Sequence, residues 1–119
     1  MAYDTSLLDQ ALAHRRLLLE QERQALLSRV LALLDQRAAA FGIERAYVVG
    51  SLAAPGRFHE ASDVDIAVEQ IDPLRLFEAL GEFSASLGRP VDIIQLDRCH
   101  FAERLRTKGI PWTSSNSLS

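Results

Sequence analysis

Cysteine, lysine and long apolar runs are scarce in this 119-residue chain, and each shortage excludes something. Cys99 is the one cysteine, so the chain has no internal disulfide and no zinc site built from four thiolates of a single chain. No apolar run approaches the roughly 20 residues of a membrane span, and no membrane role is expected. Met1-Ala2-Tyr3-Asp4 carries neither a basic segment nor a following apolar block, which speaks against a signal peptide and for a reducing, cytoplasmic setting. Lys108 stands alone beside twelve arginines, which reads as compositional bias rather than function. Neither glycine nor proline occurs before Gly42, so nothing punctuates the first third of the chain.

What is present is 48% hydrophobic and 24% charged residues, the composition of one globular domain. A chain of this length hides roughly two-thirds of its unfolded surface. It has no room for a second domain, so an enzyme of this size is expected to keep its cleft open or share it with a partner. Charge is unevenly spread. Residues 1–40 balance at zero, residues 41–97 set four arginines against ten acids for a net −6, and residues 98–119 carry +3. An acidic middle is unlike a nucleic-acid-binding surface and suits a site that gathers cations, so no direct nucleic-acid partner is expected.

Between Thr5 and Phe41 the chain is rich in Leu, Ala, Gln, Glu and Arg, all good helix formers. Asp4, Thr5 or Ser6 is placed to cap it, and Gly42 falls where a left-handed C-terminal glycine is expected. Residues 1–41 therefore read as one long helix, or a helix pair broken near Glu20 to Arg23. Leu27, Val30, Leu34, Ala38 and Phe41 form a stripe suited to a core. Leu7, Leu8, Leu12, Leu18 and Leu19 have no evident home, and either fold back on the same core or meet a partner helix or a second copy. Residues 45–50, 64–69 and 91–96 read as strands. Asp72-Pro73 opens a helix supported by Leu74, Leu76, Phe77, Leu80, Phe83 and Leu87 and closed at Gly88. Asp97 is expected to cap a short helix over about Cys99 to Thr107, Ile110-Pro111-Trp112 to add an edge strand, and residues 114–119 to form a disordered tail.

The segment from Gly50-Ser51 to Asp63-Val64-Asp65 carries the chemistry. A strand ends in Gly-Ser. Gly50 lets a ligand approach the backbone, and a short helix beginning near Ser51 would offer free N–H groups and a hydroxyl to a phosphate. Period-two alternation puts Asp63 and Asp65 on one face. Two carboxylates so close repel unless a cation sits between them, and Mg²⁺ normally shares its sphere with substrate phosphates. Asp92, between Val91 and Ile93, reads as a buried carboxylate that needs a partner or a metal. If its strand neighbours the second strand, three carboxylates face a phosphate-binding turn, the requirement of a two-metal phosphoryl or nucleotidyl transfer site. Taken singly, these residues have plainer readings. Asp63 and Asp65 suit an Asx turn, Asp92 a salt bridge, and Ser51 a helix cap. Arg57 and His59 suit a solvated loop, His14 and His100 the surface, Trp112 packing, and Glu69 a solvent-facing strand end. Cys99 and His100 point apart on a helix and make no nucleophile pair.

Gly50-Ser51, the spacer, Asp63-Val64-Asp65 and a later strand aspartate resemble the minimal nucleotidyltransferases of the DNA polymerase β-like superfamily. The resemblance covers about Ile43 to Trp112. It implies a two-layer α/β (α+β) sandwich, a small mixed sheet with helices on one face. Residues 1–113 would then form one domain with its catalytic core at 43–112. It implies Mg²⁺-dependent transfer of a nucleoside monophosphate, AMP from ATP or another NTP, to a hydroxyl. Asp63, Asp65 and Asp92 would be catalytic metal ligands, and Gly50, Ser51 and Arg57 would bind the nucleotide. The family's common Gly-Ser-x-Ala-Arg-Gly is here Gly50-Ser51-Leu52-Ala53-Ala54-Pro55, without the arginine, and the spacer (52–62) is one residue longer than usual. A minimal domain of this kind also resembles the antitoxin of toxin–antitoxin pairs whose toxin is a helical HEPN-domain ribonuclease. That implies AMP transfer onto a tyrosine of this partner, with the surplus leucines of the first helix as docking residues. The other reading is a weak or inactive nucleotidyltransferase-like module that neutralises its partner by complex formation.

Overall fold

The computed structural model describes residues 5–115; Asp4 as a helix cap and residues 116–119 of the expected tail lie outside them. Helix α1 runs unbroken over Ser6–Arg37, 32 residues or about 48 Å at 1.5 Å per residue. No glycine or proline interrupts it, and Glu20 and Arg23, where a break was conceivable, instead face each other one turn apart. Thr5 stands at the N-cap position without a side-chain cap bond, its hydroxyl donating to Asp9 Oδ2 at 3.4 Å. The chain tightens into a 3-10 turn over Ala38–Phe41 and ends at Gly42, whose φ of +77° gives the left-handed cap. Leu26, Val30, Leu34, Ala38 and Phe41 are buried, so the second half of α1 supplies the core. Most of the first half does not fold back on that core: Leu7, Leu8, Leu12, Leu17 and Leu18 are exposed, Leu19 is half-buried beside Pro55 and Phe58, and the molecule measures 65 × 28 × 27 Å.

Four strands follow: β1 Arg45–Val49, β2 Val64–Val68, β3 Val91–Gln95 and β4 Ile110–Thr113. They form one mixed sheet in the order β3-β2-β1-β4. β1 pairs antiparallel with both β2 and β4, while β2 and β3 run parallel. A parallel pair needs a crossover, which α2 (Leu76–Leu87) provides. Asp72 accepts from the Leu74 N–H at 3.0 Å to open a 3-10 turn at Pro73, and Gly88 closes α2 in the left-handed conformation. The expected apolar face of this helix is narrower than its sequence suggests. Ala79, Phe83 and Leu87 are buried, but Leu74 and Phe77 are 94% and 84% exposed, because only the face turned to α1 and the sheet has anything to pack on.

The two longer helices share one face of the sheet. There Val48, Ile66, Val68, Ile93 and Trp112 meet Val30, Leu34, Phe41 and Phe83 in the main core. Arg37 forks onto Glu82 at 2.7 and 2.9 Å, joining α1 to α2, and Trp112 Nε1 donates to Asp35 Oδ1 at 2.7 Å. The opposite face holds a second, smaller cluster of Val49, Ala67, Leu96 and Ala102, flanked by Tyr47, Ile94 and Leu105. It is covered by the short α3, Ala102–Lys108. This helix starts later than expected. Leu96–Arg98 form a separate 3-10 turn, and Phe101, not Asp97, stands at the start of α3. Ser114 is tied to the sheet through its N–H, which donates to the Glu44 carbonyl at 2.8 Å. No helix among the described residues is long and apolar enough to cross a membrane.

Phe83 is fully buried and meets Phe41 edge-to-face at 5.5 Å. Phe83→Ala is expected to cost about 3–5 kcal/mol in urea unfolding. Phe77→Ala, on the exposed side of the same helix, should change stability by less than about 0.5 kcal/mol.

Candidate functional site

The smaller-core face of the sheet also carries the acids. Along β2, Val64, Ile66 and Val68 enter the main core, so Asp65 and Ala67 point the other way. Parallel pairing brings β3 alongside with Asp65 opposite Asp92, and antiparallel pairing sets Val49 of β1 opposite Asp65. Gly50, the next residue, therefore lies beside the Asp65 carboxylate. Its φ is +73°, and a Cβ there would stand 2.6 Å from Asp65 Oδ2. Gly50 opens a 3-10 turn, Gly50–Ala53, anchored by the buried Leu52. Ser51 is half-buried on that turn, and its hydroxyl has no hydrogen-bond partner among the described residues.

Asp63, immediately before β2, is exposed, and Asp65 is half-buried. Asp92 is exposed, not buried as its apolar neighbours imply. β3 is an edge strand, and α3 covers Ile94 but not the start of the strand. None of the three acids has an ion-pair partner among the described residues. Burial, then the charges of Asp92 and Asp63, push the Asp65 carboxyl above its ordinary range. The donor chemistry fits a hard divalent cation: oxygen ligands only, with an unfavourable mutual repulsion for the cation to offset. As the side chains stand they are not drawn into a ligand cluster; among the described residues no group of three or more His, Cys, Asp or Glu has metal-holding spacing.

Two arginines that sequence reasoning passed over hold the flanking loops. Arg23 is 7% exposed and donates through Nη1 to the Leu52 carbonyl at 3.0 Å, while Nε and Nη2 grip Glu20. It ties α1 to the Gly-Ser turn. Arg89 donates to the carbonyls of Glu60 and Ser62 at 3.0 and 2.9 Å and lies over the Phe58 ring, fixing the loop before Asp63. Ser62 is buried, its hydroxyl accepting from the His59 N–H at 2.9 Å. Neither contact has a local signal, since the partners lie 27 to 29 residues apart.

Arg57 lines a cleft of about 390 Å³ together with Gly50, Ala53, Ala54 and the α3 residues Arg104 and Lys108. His59 is exposed in the loop and lines no part of that cleft. Glu69 does not face solvent freely. Arg106 forks onto it at 2.7 and 2.8 Å, and the Tyr47 hydroxyl donates to it at 3.3 Å. The Arg106 guanidinium holds the Glu69 carboxyl below its usual range, and burial raises the Tyr47 phenol. His14 and His100 are exposed, and Trp112 packs in the core.

A raised carboxyl binds its proton more readily folded than unfolded, so Asp65 lowers stability as pH rises through its folded pKa, the reverse of a paired carboxylate. Asp65→Asn should raise the Tm of the metal-free protein at neutral pH by on the order of 2 °C. Millimolar Mg²⁺ should shrink that difference by stabilising the wild type, as scanning calorimetry would show. Gly50→Ala should destabilise by about 1–2 kcal/mol from its backbone conformation alone, measurable in urea.

No family model and no curated protein matches the chain. Among solved structures, a chain in the crystal structure of a toxin-antitoxin with AMP-PNP has a similar fold. The TM-score is 0.56 at 24% identity, over 76% of this chain and 75% of that one. At this identity the likeness is one of fold.

Proposed function

We propose that this chain is a Mg²⁺-dependent nucleotidyltransferase that moves AMP from ATP to a hydroxyl of a partner protein, and so acts as the antitoxin of a toxin–antitoxin pair. The observation that carries the reading is the in-register pair Asp65 and Asp92, with Asp63 two residues before Asp65, set against the Gly50–Ser51 turn. A carboxylate cluster is costly to a small sheet, and like charges directly opposite each other destabilise it. A cation-dependent function accounts for their retention side by side.

In this reading Ser51 and the turn after Gly50 bind the phosphates, and Asp63, Asp65 and Asp92 hold the metal. When bound, Mg²⁺ would neutralise charge on the phosphates. Asp92, exposed at the sheet edge, is open to an incoming hydroxyl and accepts its proton. The hydroxyl oxygen forms a bond to the α-phosphorus, the bond from that phosphorus to the bridging oxygen breaks, and pyrophosphate leaves. The fold likeness to a chain of a toxin-antitoxin with AMP-PNP supports the toxin–antitoxin setting. The partner of choice is a helical HEPN-domain protein, accepting AMP on a tyrosine. The exposed leucines at the start of α1 supply apolar side chains for it.

Those same leucines, with Ala54 in place of a phosphate-facing arginine, favour a second reading, a module that neutralises its partner by covering it. Labelled ATP separates the two. Wild-type chain, Mg²⁺ and the co-expressed partner should give label on the partner, and Asp63→Ala/Asp65→Ala should reduce it by at least about 100-fold. Equal and negligible labelling by both proteins, with the complex intact, would leave only the covering module.

A further inference from the structure

Helix α2 carries an exposed apolar ridge that neither the core nor the acidic face uses. Leu74 and Phe77 are 94% and 84% exposed, the highest values for large apolar side chains among the described residues. They lie one turn apart, away from the buried Ala79, Phe83 and Leu87. The exposed side continues through Gly81, Ala85 and Gly88. The ridge has a direction: two large residues come first and three small ones follow.

The charges beside it are already paired. Glu78 and Glu82 are the two charged residues of α2. Glu78 meets Arg75 at 2.9 Å, and Glu82 meets Arg37 at 2.7 Å. Arg75 also donates to the Ala40 carbonyl and lies 4.7 Å from the Phe41 ring centroid. A charged partner finds no free counter-charge on this helix, so the surface that fits the ridge is itself apolar and neutral.

The spacing selects a second copy of the chain. Positions 74, 77, 81, 85 and 88 lie seven and four residues before Gly81 and four and seven after it, so the set is symmetric about Gly81. A twofold contact sets one patch against its own copy, residue i on j and j on i. With the axis at Gly81 and the helices antiparallel, Leu74 meets Gly88, Phe77 meets Ala85, and the two Gly81 backbones cross. Every large residue then faces a small one, whereas a parallel pair would set Phe77 on Phe77 and leave gaps along the small half. Within one chain a Cβ on Gly81 would meet nothing within 4 Å, and glycine weakens a helix, so the fold of the single chain does not call for it. A close backbone crossing does.

We propose that the chain forms a reversible homodimer through α2, in which Phe77 of each copy packs on the Gly81–Ala85 segment of the other. Four large side chains and their small neighbours bury on the order of 1,000 Å² in total, the size of a weak interface rather than an obligate one. α2 lies on the main-core face of the sheet, so pairing leaves the acidic face open.

Sedimentation equilibrium of the full chain from about 1 to 300 µM should show monomer and dimer with a Kd on the order of 10–100 µM. Gly81→Gln puts a bulky, helix-favouring residue at the crossing point. It should raise the Kd at least about tenfold while leaving the urea midpoint at about 1 µM no lower than that of wild type. Phe77→Ala should raise the Kd similarly, and Leu7→Ala/Leu8→Ala on α1 should not. In a Cys99→Ala chain, Gly81→Cys should give a disulfide-linked dimer on mild oxidation, and Ser86→Cys, exposed but off the ridge, should not. A dimer that both ridge variants leave intact, or equal cross-linking from positions 81 and 86, overturns the proposal. A wild type that stays monomeric throughout also overturns it, and leaves the ridge to a different protein.

Discussion

The register of β2 between its two neighbours is the constraint on which the rest of the molecule depends. Shifting it by one residue would turn Ile66 out of the main core and drive Asp65 into it, so the apolar set Val64, Ile66 and Val68 specifies the register strongly. The same register has a cost. It sets Asp65 opposite Asp92 on one side and against Gly50 on the other, with no cationic side chain between. The buried faces of Val64, Ile66 and Ile93 offset that repulsion by keeping both strands in place. The acids are thus fixed by apolar groups on the far side of the sheet, and the sheet is held by contacts that leave the acids unpaired.

The loops around the acids are held in the same indirect manner. Arg23 and Arg89 clamp backbone carbonyls at Leu52 and at Glu60 and Ser62, reaching them from outside the site. Arg37, Arg75 and Arg106 spend their guanidinium groups on Glu82, Glu78 and Glu69. The abundance of arginine, which reads as compositional bias in the bare sequence, is put to structural use. A guanidinium offers a planar fork for two acceptors that an ammonium does not, which suits positions where one side chain bridges two elements.

What was legible in the sequence follows from range. The left-handed glycines at 42 and 88, the cap at Asp72, the three predicted strands and the edge strand at Ile110 all rest on local chemistry, and they are where the pattern puts them. The proximity of Asp65 and Asp92 was legible only conditionally, because it depends on a parallel pairing across 27 residues. Asp92 misled because Val-Asp-Ile-Ile looks like a fully buried strand. In fact Ile93 is covered by the main core and Ile94 by α3, while Asp92 lies at an uncovered edge. Arg23, Arg89 and the Glu69–Arg106 fork carried no signal, since a lone arginine in a helix or loop looks the same whether it is solvated or bridging. The α3 cations were hidden for the same reason: nothing local says that residues 104 and 108 come to lie beside residue 50.

The distribution of charge around Gly50 distinguishes this region from the rest of the molecule. Elsewhere, where an acid and an arginine come near each other, they pair, as at Arg37 with Glu82 and Arg106 with Glu69. Near Gly50 three acids and three cations are gathered, and none of the six has an ion-pair partner among the described residues. A small domain gains nothing in stability from holding six like-grouped charges apart. Left unpaired in this way, each group keeps its charge for something outside the chain. A partner surface alone would more simply be met by the exposed leucines of α1. The grouping of unpaired charge near Gly50 is therefore the observation that favours the proposed nucleotide chemistry over a purely covering role.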